Sequence, residues 1–172
     1  GRGQRLLFVG RLSDEKDPAL VIDVLRHLPT AFHLTVVGDG PLGGDLRASS
    51  ADLLAAGRLH FAGPLDWSVA RYRGFDLTLL GSRYEGCPLV ALESAAAGVP
   101  FVGPPIAALQ ELVATDAPFL LAHTRSAQAL AERVRHTCAL APAQVAPALD
   151  AIVQRHAWAG FAARWAEVLR AC

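Results

Sequence analysis

The chain has 172 residues, 52% of them hydrophobic, and a formal net charge of zero. That length suits one domain with a full core, and the apolar fraction excludes a disordered chain. With neither a basic excess nor an acidic block, nucleic acid is not an expected partner; no apolar run reaches transmembrane length, and no signal peptide is visible.

Short apolar runs alternate with longer helical patterns along the whole chain. Residues 6–9 (LLFV) read as a strand, and residues 18–28 as a helix with Pro18 in its first turn. Residues 32–37, rich in β-branched side chains and closed by Gly38, form the next strand, and a helix over 43–56 follows. A brief strand at 59–62 leads to a short helix over 66–72 with Asp66 as N-cap. Then come a strand at 75–80, a helix over 88–97 closed by Gly98, and a strand at 99–102. Residues 105–113 are helical, 119–122 form a short strand and 126–140 a helix. The tail from Pro142 is helical, with a break near His156, and Trp158, Phe161, Trp165 and Val168 share one face of its last part. This order predicts an α/β fold with a doubly wound, Rossmann-like parallel sheet covered on both faces. Ligands of such sheets bind outside the carboxyl ends of the strands, which directs attention to the loops after Val9, Val37, Ala62, Leu80 and Val102.

The remaining composition narrows the chemistry. Three widely spaced cysteines (Cys87, Cys138 and Cys172) without a CxxC pair point to a reducing, cytoplasmic setting rather than to a disulfide framework. The six histidines, His27, His33, His60, His123, His136 and His156, are scattered and show no metal-ligand spacing. There is no methionine, and the chain opens almost directly into an apolar run, which reads as a piece of a longer protein. The basic residues are fifteen arginines and one lysine, a bias of GC-rich coding that singles out Lys16.

The loop GRLSDEKDP follows the first strand, and Gly10 lets its backbone turn closely. Arg11 and Lys16, converging at a strand's carboxyl end, would suit a diphosphate, one as a fork and the other as a point charge. Taken alone, the loop reads more readily as a solvated turn in which Asp14, Glu15 and Asp17 neutralise the two cations. After the second strand, VVGDGPLGG matches G-x-G-x-x-G through Gly38, Gly40 and Gly43. Pro41 removes an amide that a pyrophosphate would need, and the next strand, LHFAG, ends in no acidic residue for an adenosine ribose. A glycine-permitted tight turn is the better reading than a dinucleotide site.

The most informative stretch is SRYEGCPLVALESAAAGVP, residues 82–100, with Glu85 and Glu93 eight apart. Pro88 suits a helix's first position, so Glu85 stands in the preceding loop and the free amides of Leu89 and Val90 face the cleft. Glu93, one turn further, leans back toward the same cleft and can accept hydrogen bonds from vicinal sugar hydroxyls. The two carboxylates would bracket one anionic, hydroxyl-rich ligand. The alternatives are that Glu85 only complements the helix dipole and that Glu93 is an exposed helix residue. Against the latter, Val90, Ala91, Leu92, Ala95 and Ala97 surround Glu93, and a carboxylate there needs a partner. Cys87 reads as a small apolar filler rather than a nucleophile; neither a nucleophile elbow nor a Walker A loop occurs.

GRLSDEKDP, VVGDGP and SRYEGCPLVALESAAAGVPFVG, in that order and spacing, together resemble the C-terminal half of a GT4-type retaining glycosyltransferase with the GT-B fold. The resemblance runs from about Leu6 to Val113. It implies a nucleotide-sugar donor domain over residues 1–172, with the N-terminal acceptor domain absent from this chain. Gly10, Arg11 and Lys16, with the amides of Leu89 and Val90, would hold the donor diphosphate, and Glu93 the ribose. Glu85 would be the catalytic residue at the donor sugar, with backbone groups of Gly86, Cys87 and Pro88 beside it. Gly63, Pro64 and Leu65 would line the base. The resemblance implies no metal and no bound cofactor, the nucleoside-diphosphate sugar being a substrate, and allows membrane association only through the absent half, peripherally at the inner membrane. Asp17-Pro18 and Cys87 depart from the family's usual residues. The competing readings are a related GT-B nucleotide-sugar epimerase and a non-catalytic nucleotide-binding or interaction module.

Overall fold

The computed structural model describes residues 3–65, 68–114 and 116–157. Five parallel strands form one sheet: β1 (Gln4–Val9), β2 (Phe32–Val37), β3 (Leu59–Gly63), β4 (Leu77–Leu79) and β5 (Phe101–Val102). Their spatial order is β3-β2-β1-β4-β5. Gly103 and Leu121 add an isolated parallel bridge. The helices are α1 (Pro18–Arg26), α2 (Gly43–Ser49), α3 (Ala51–Ala55), α4 (Val69–Tyr72), α5 (Leu89–Ala96), α6 (Ala107–Val113), α7 (Ala127–Ala139) and α8 (Pro142–His156).

Side chains alternate across each strand, and both faces are buried. Leu6, Phe8, Leu34, Val36, Leu77 and Leu79 meet α1 and α7 through Val21, Leu25, Leu130 and Val134. On the other face, Leu7 packs with Tyr72, Ala97 and Val99, and Phe101 with Ala91, Leu109 and Ile152. Thr78, also on that face, shares a 2.7 Å hydrogen bond with Ser94, whose hydroxyl also sits 2.9 Å from the Val99 carbonyl. That buried pair pins α5 to β4 and so fixes where Glu93 stands.

The strand order reverses between β1 and β4, where one crossover runs to each side. The loops after these two strands lie against each other. Arg83 donates its amide to the Glu15 carbonyl at 2.9 Å, and a Cβ at Gly81 would stand 2.5 Å from the Asp17 carbonyl oxygen. The loop after β2 closes on the same place, since the Leu12 amide bonds the Asp39 carbonyl at 2.9 Å. Gly38 has φ +131°, and a Cβ there would lie 2.0 Å from the Gly10 carbonyl oxygen. A Cβ at Gly40 would lie 2.5 Å from that of Leu12. The glycines of G-x-G-x-x-G therefore let two loops pack together, in agreement with the tight-turn reading.

Several boundaries differ from expectation. The helix expected over 43–56 breaks at the buried Ser50, just after Ser49, whose hydroxyl turns back to the Leu46 carbonyl at 3.3 Å. The first helix ends at Arg26 rather than at 28, and residues 119–122 give a 3-10 turn and a single bridge rather than a strand. Strands β4 and β5 are shorter than their apolar runs, and α4 begins after Ser68. Asp66 and the face formed by Trp158, Phe161, Trp165 and Val168 lie outside the described residues.

Candidate functional site

At the sheet's switch point the loop after β1 carries Gly10, Arg11 and Lys16. The Lys16 stem folds back over Gly10, where its Cγ lies 3.7 Å from the position of an added Cβ. Its ammonium reaches across the crevice and donates to Glu85 Oε2 at 2.7 Å, with Glu15 a second carboxylate at 3.5 Å. Ser82 donates to the other Glu85 oxygen, also at 2.7 Å. The Glu85 side chain is only 8% exposed, so its charge is held by one cation and one hydroxyl. Arg11 stands exposed in the same loop. Lysine and glutamate 69 positions apart are thus in direct contact, a pairing that sequence spacing does not reveal.

Helix α5 starts one residue later than expected. Pro88 is its N-cap, with ψ 64°, rather than its first helical residue. The Leu89 amide is also not free, since it donates to the Cys87 carbonyl at 2.9 Å; Val90's amide finds no acceptor among the described residues. Only one of the two expected anion-binding amides is therefore available. Glu93, half-buried in the second turn, accepts a 2.8 Å hydrogen bond from the Tyr72 hydroxyl. Gly63, with φ +73°, turns the chain out of β3, and Leu65 is 45% exposed beyond it. Tyr84 and Leu89 are the other large exposed apolar side chains in the loop and helix of Glu85. Behind this loop, Gly86, Cys87, Pro88, Glu111 and His156 line a cavity of about 150 Å³.

One group of residues escaped the sequence reading. Asp17 does not neutralise Arg11 or Lys16. It caps α1 by accepting from the Leu20 amide at 3.1 Å, and it pairs with Arg83 at 3.0 Å and with Arg125. Arg125 also donates to the Gly81 carbonyl at 3.0 Å and to that of Ser82 at 3.4 Å. Asp17 adopts φ 42°, a left-handed conformation that aspartate tolerates better than most residues. The only local signal was an Asp before a helical Pro, which also marks a cap. Arg125 lies 108 residues away and gave none.

Among the described residues no group of three or more His, Cys, Asp or Glu is arranged to hold a metal, and no helix is long and apolar enough to cross a membrane. What the crevice offers is a pairing of cation and carboxylate, a helix N-terminus and a second, tethered carboxylate.

The family model described as Glycosyl transferases group 1 matches residues 3–139. D-inositol 3-phosphate glycosyltransferase of Acidothermus cellulolyticus is 36% identical over 123 residues, 63% of this chain and 27% of that protein. Glycogen synthase of Mycobacterium tuberculosis is 36% identical over 137 residues, 76% of this chain and 33% of that protein. Among solved structures, Anabaena Alr3699/HepE in complex with UDP superposes with a TM-score of 0.85 at 23% identity, over 99% of this chain and 50% of that one. The chain thus spans a third or less of these two curated relatives and half of the solved one. The doubly wound sheet is one that GT-B glycosyltransferases share, and with the family match extending from β1 to the end of α7, this chain belongs to the glycosyl transferases group 1.

Proposed function

We propose that this chain is the donor-binding domain of a GT4-like glycosyltransferase, which transfers a sugar from a nucleoside-diphosphate sugar to an acceptor with retention at the anomeric carbon. The observation that carries the reading is the contact of Lys16 with Glu85 across the switch point, in the loop that leads into α5 and its Glu93. The relative named above is in complex with UDP, which supports a nucleoside diphosphate as the ligand of the crevice.

In this reading Arg11, Lys16 and the Val90 amide stabilise the charge that builds on the leaving diphosphate. No metal is needed for that. Glu93 takes the ribose hydroxyls, and residues 63–65 line the base. Glu85 faces the donor sugar. Its charge is already countered by Lys16, so a diphosphate arriving at Lys16 shares that cation with Glu85. Backbone groups of Gly86, Cys87 and Pro88 shape the sugar pocket. The acceptor site belongs to a second domain outside this chain; alone, the chain binds nucleotide weakly and transfers nothing. The setting is cytoplasmic, with any membrane association supplied by that other domain.

Calorimetric titration with UDP, GDP, ADP and NAD tests the reading. One nucleoside diphosphate is expected to bind, with Lys16→Ala and Glu93→Ala each weakening it by about 10- to 100-fold, the worth of a lost charge-assisted contact. Binding of NAD in preference, or nucleoside-diphosphate binding indifferent to both substitutions, would overturn it.

A further inference from the structure

Tyr72 ends the short helix α4 and is fully buried. Its ring packs among Leu7, Val37, Ala97 and Val99, with Val9, Ala62 and Val90 at the margin, so it lies beneath the carboxyl ends of three strands and the first turn of α5. A ring so enclosed has little rotational freedom, and its hydroxyl donates to Glu93 Oε2 at 2.8 Å. An ionised carboxylate offers about four lone-pair sites. The phenol occupies one on Oε2 and leaves Oε1 whole. It also fixes the plane of the carboxylate, which on a half-buried helix position would otherwise rotate among several rotamers. Helix α4 follows closely on residues 63–65, so the element that carries the phenol is tied to the loop read as lining the base.

We propose that Tyr72 is a positioning residue for donor recognition: its hydroxyl orients the Glu93 carboxylate so that Glu93 can grip two vicinal ribose hydroxyls at once. The proposal rests on the donor-site reading of Glu93. It assigns to Tyr72 a share of the site's selectivity for an unmodified ribose, although Tyr72 itself, fully buried, touches no ligand. A purely structural role would make the hydroxyl matter to folding and leave selectivity unchanged. These two roles separate experimentally.

The test uses the full-length protein and calorimetry with UDP, GDP and ADP and the 2′,3′-dideoxy form of each. The wild type is expected to prefer the ribonucleotide by about tenfold or more, the worth of hydrogen bonds to a charged group. Tyr72→Phe keeps the ring in its apolar cluster, and it is expected to cut that preference by at least about threefold, a partial loss of the same hydrogen bonds. In a Glu93→Ala background the same substitution should change the preference no further. A Tyr72→Phe protein that keeps the full wild-type preference overturns the proposal, whatever happens to its melting temperature. A wild type that binds ribose and dideoxyribose forms alike, or binds no nucleoside diphosphate, overturns the donor-site reading of Glu93 and this proposal with it.

Discussion

Cys87 and Cys138 show how neighbourhood sets the chemistry of one residue type. Cys87 is exposed in the Glu85 loop, whereas Cys138 is partly buried near the end of α7, where burial and the nearby Asp76 push its thiol up to about 12. The thiolate is the reactive form, so in a Cys172→Ser background Cys87 should label at neutral pH and Cys138 only on unfolding. A Cys138 that labels in the folded protein as fast as Cys87 would sink this. The shift also has a sign for stability. The folded thiol keeps its proton where the unfolded one, at about 8.5, has lost it. The contribution of Cys138 is therefore fully present below that value and is lost as pH rises toward 12. Wild type and Cys138→Ala melted side by side should diverge in that window, with the wild type losing more stability.

The loops owe their positions to how closely the elements beneath them approach. Gly38 is the sharpest case, because its φ of +131° is one that side chains rarely adopt and a Cβ would meet the Gly10 carbonyl oxygen at 2.0 Å. Gly38→Ala should cost about 2 kcal/mol or more, measured by denaturant unfolding, and should weaken nucleotide binding because the loop of Lys16 must move. A neutral Gly38→Ala would mean that the two loops are not locked. Elsewhere local signals carried through. The apolar runs of β1 and β2, Pro18 and Gly98 marked their elements to within about two residues of the observed ends, where such boundaries normally blur. They failed where an end depends on partners. Ser50 breaks a continuous helical pattern, and the apolar run at 119–122 lacks a second strand long enough to ladder with, since β5 has two residues.

Across the whole molecule, Asp17 and Arg125 close the ring of loops around the crevice. Arg125, just before α7, reaches Asp17 at the start of α1 and two carbonyls after β4. Removing the guanidinium leaves a nearly buried carboxylate with Arg83 as its remaining ionic partner. Arg125→Ala should therefore lower stability by about 2 kcal/mol, and Arg125→Lys should recover only part, because a point-charge ammonium lacks the planar guanidinium whose Nε and Nη2 reach Asp17 and the two carbonyls together. Unchanged melting of Arg125→Ala would show the latch to be idle.

The sequence by itself determined the α/β class, the parallel sheet, the family resemblance and the placing of Lys16 and Glu85 in loops after strands, with Glu93 in the helix that follows. Alternating apolar runs and E-x7-E are local patterns, and local patterns are written in the order of residues. Tertiary structure decided which charges meet. Lys16 pairs with Glu85, Asp17 with Arg83 and Arg125, and Tyr72 with Glu93, at separations from 21 to 108 residues. A carboxylate's partner depends on where crossovers bring distant loops together and on which groups burial leaves without water, and neither is recorded in spacing along the chain.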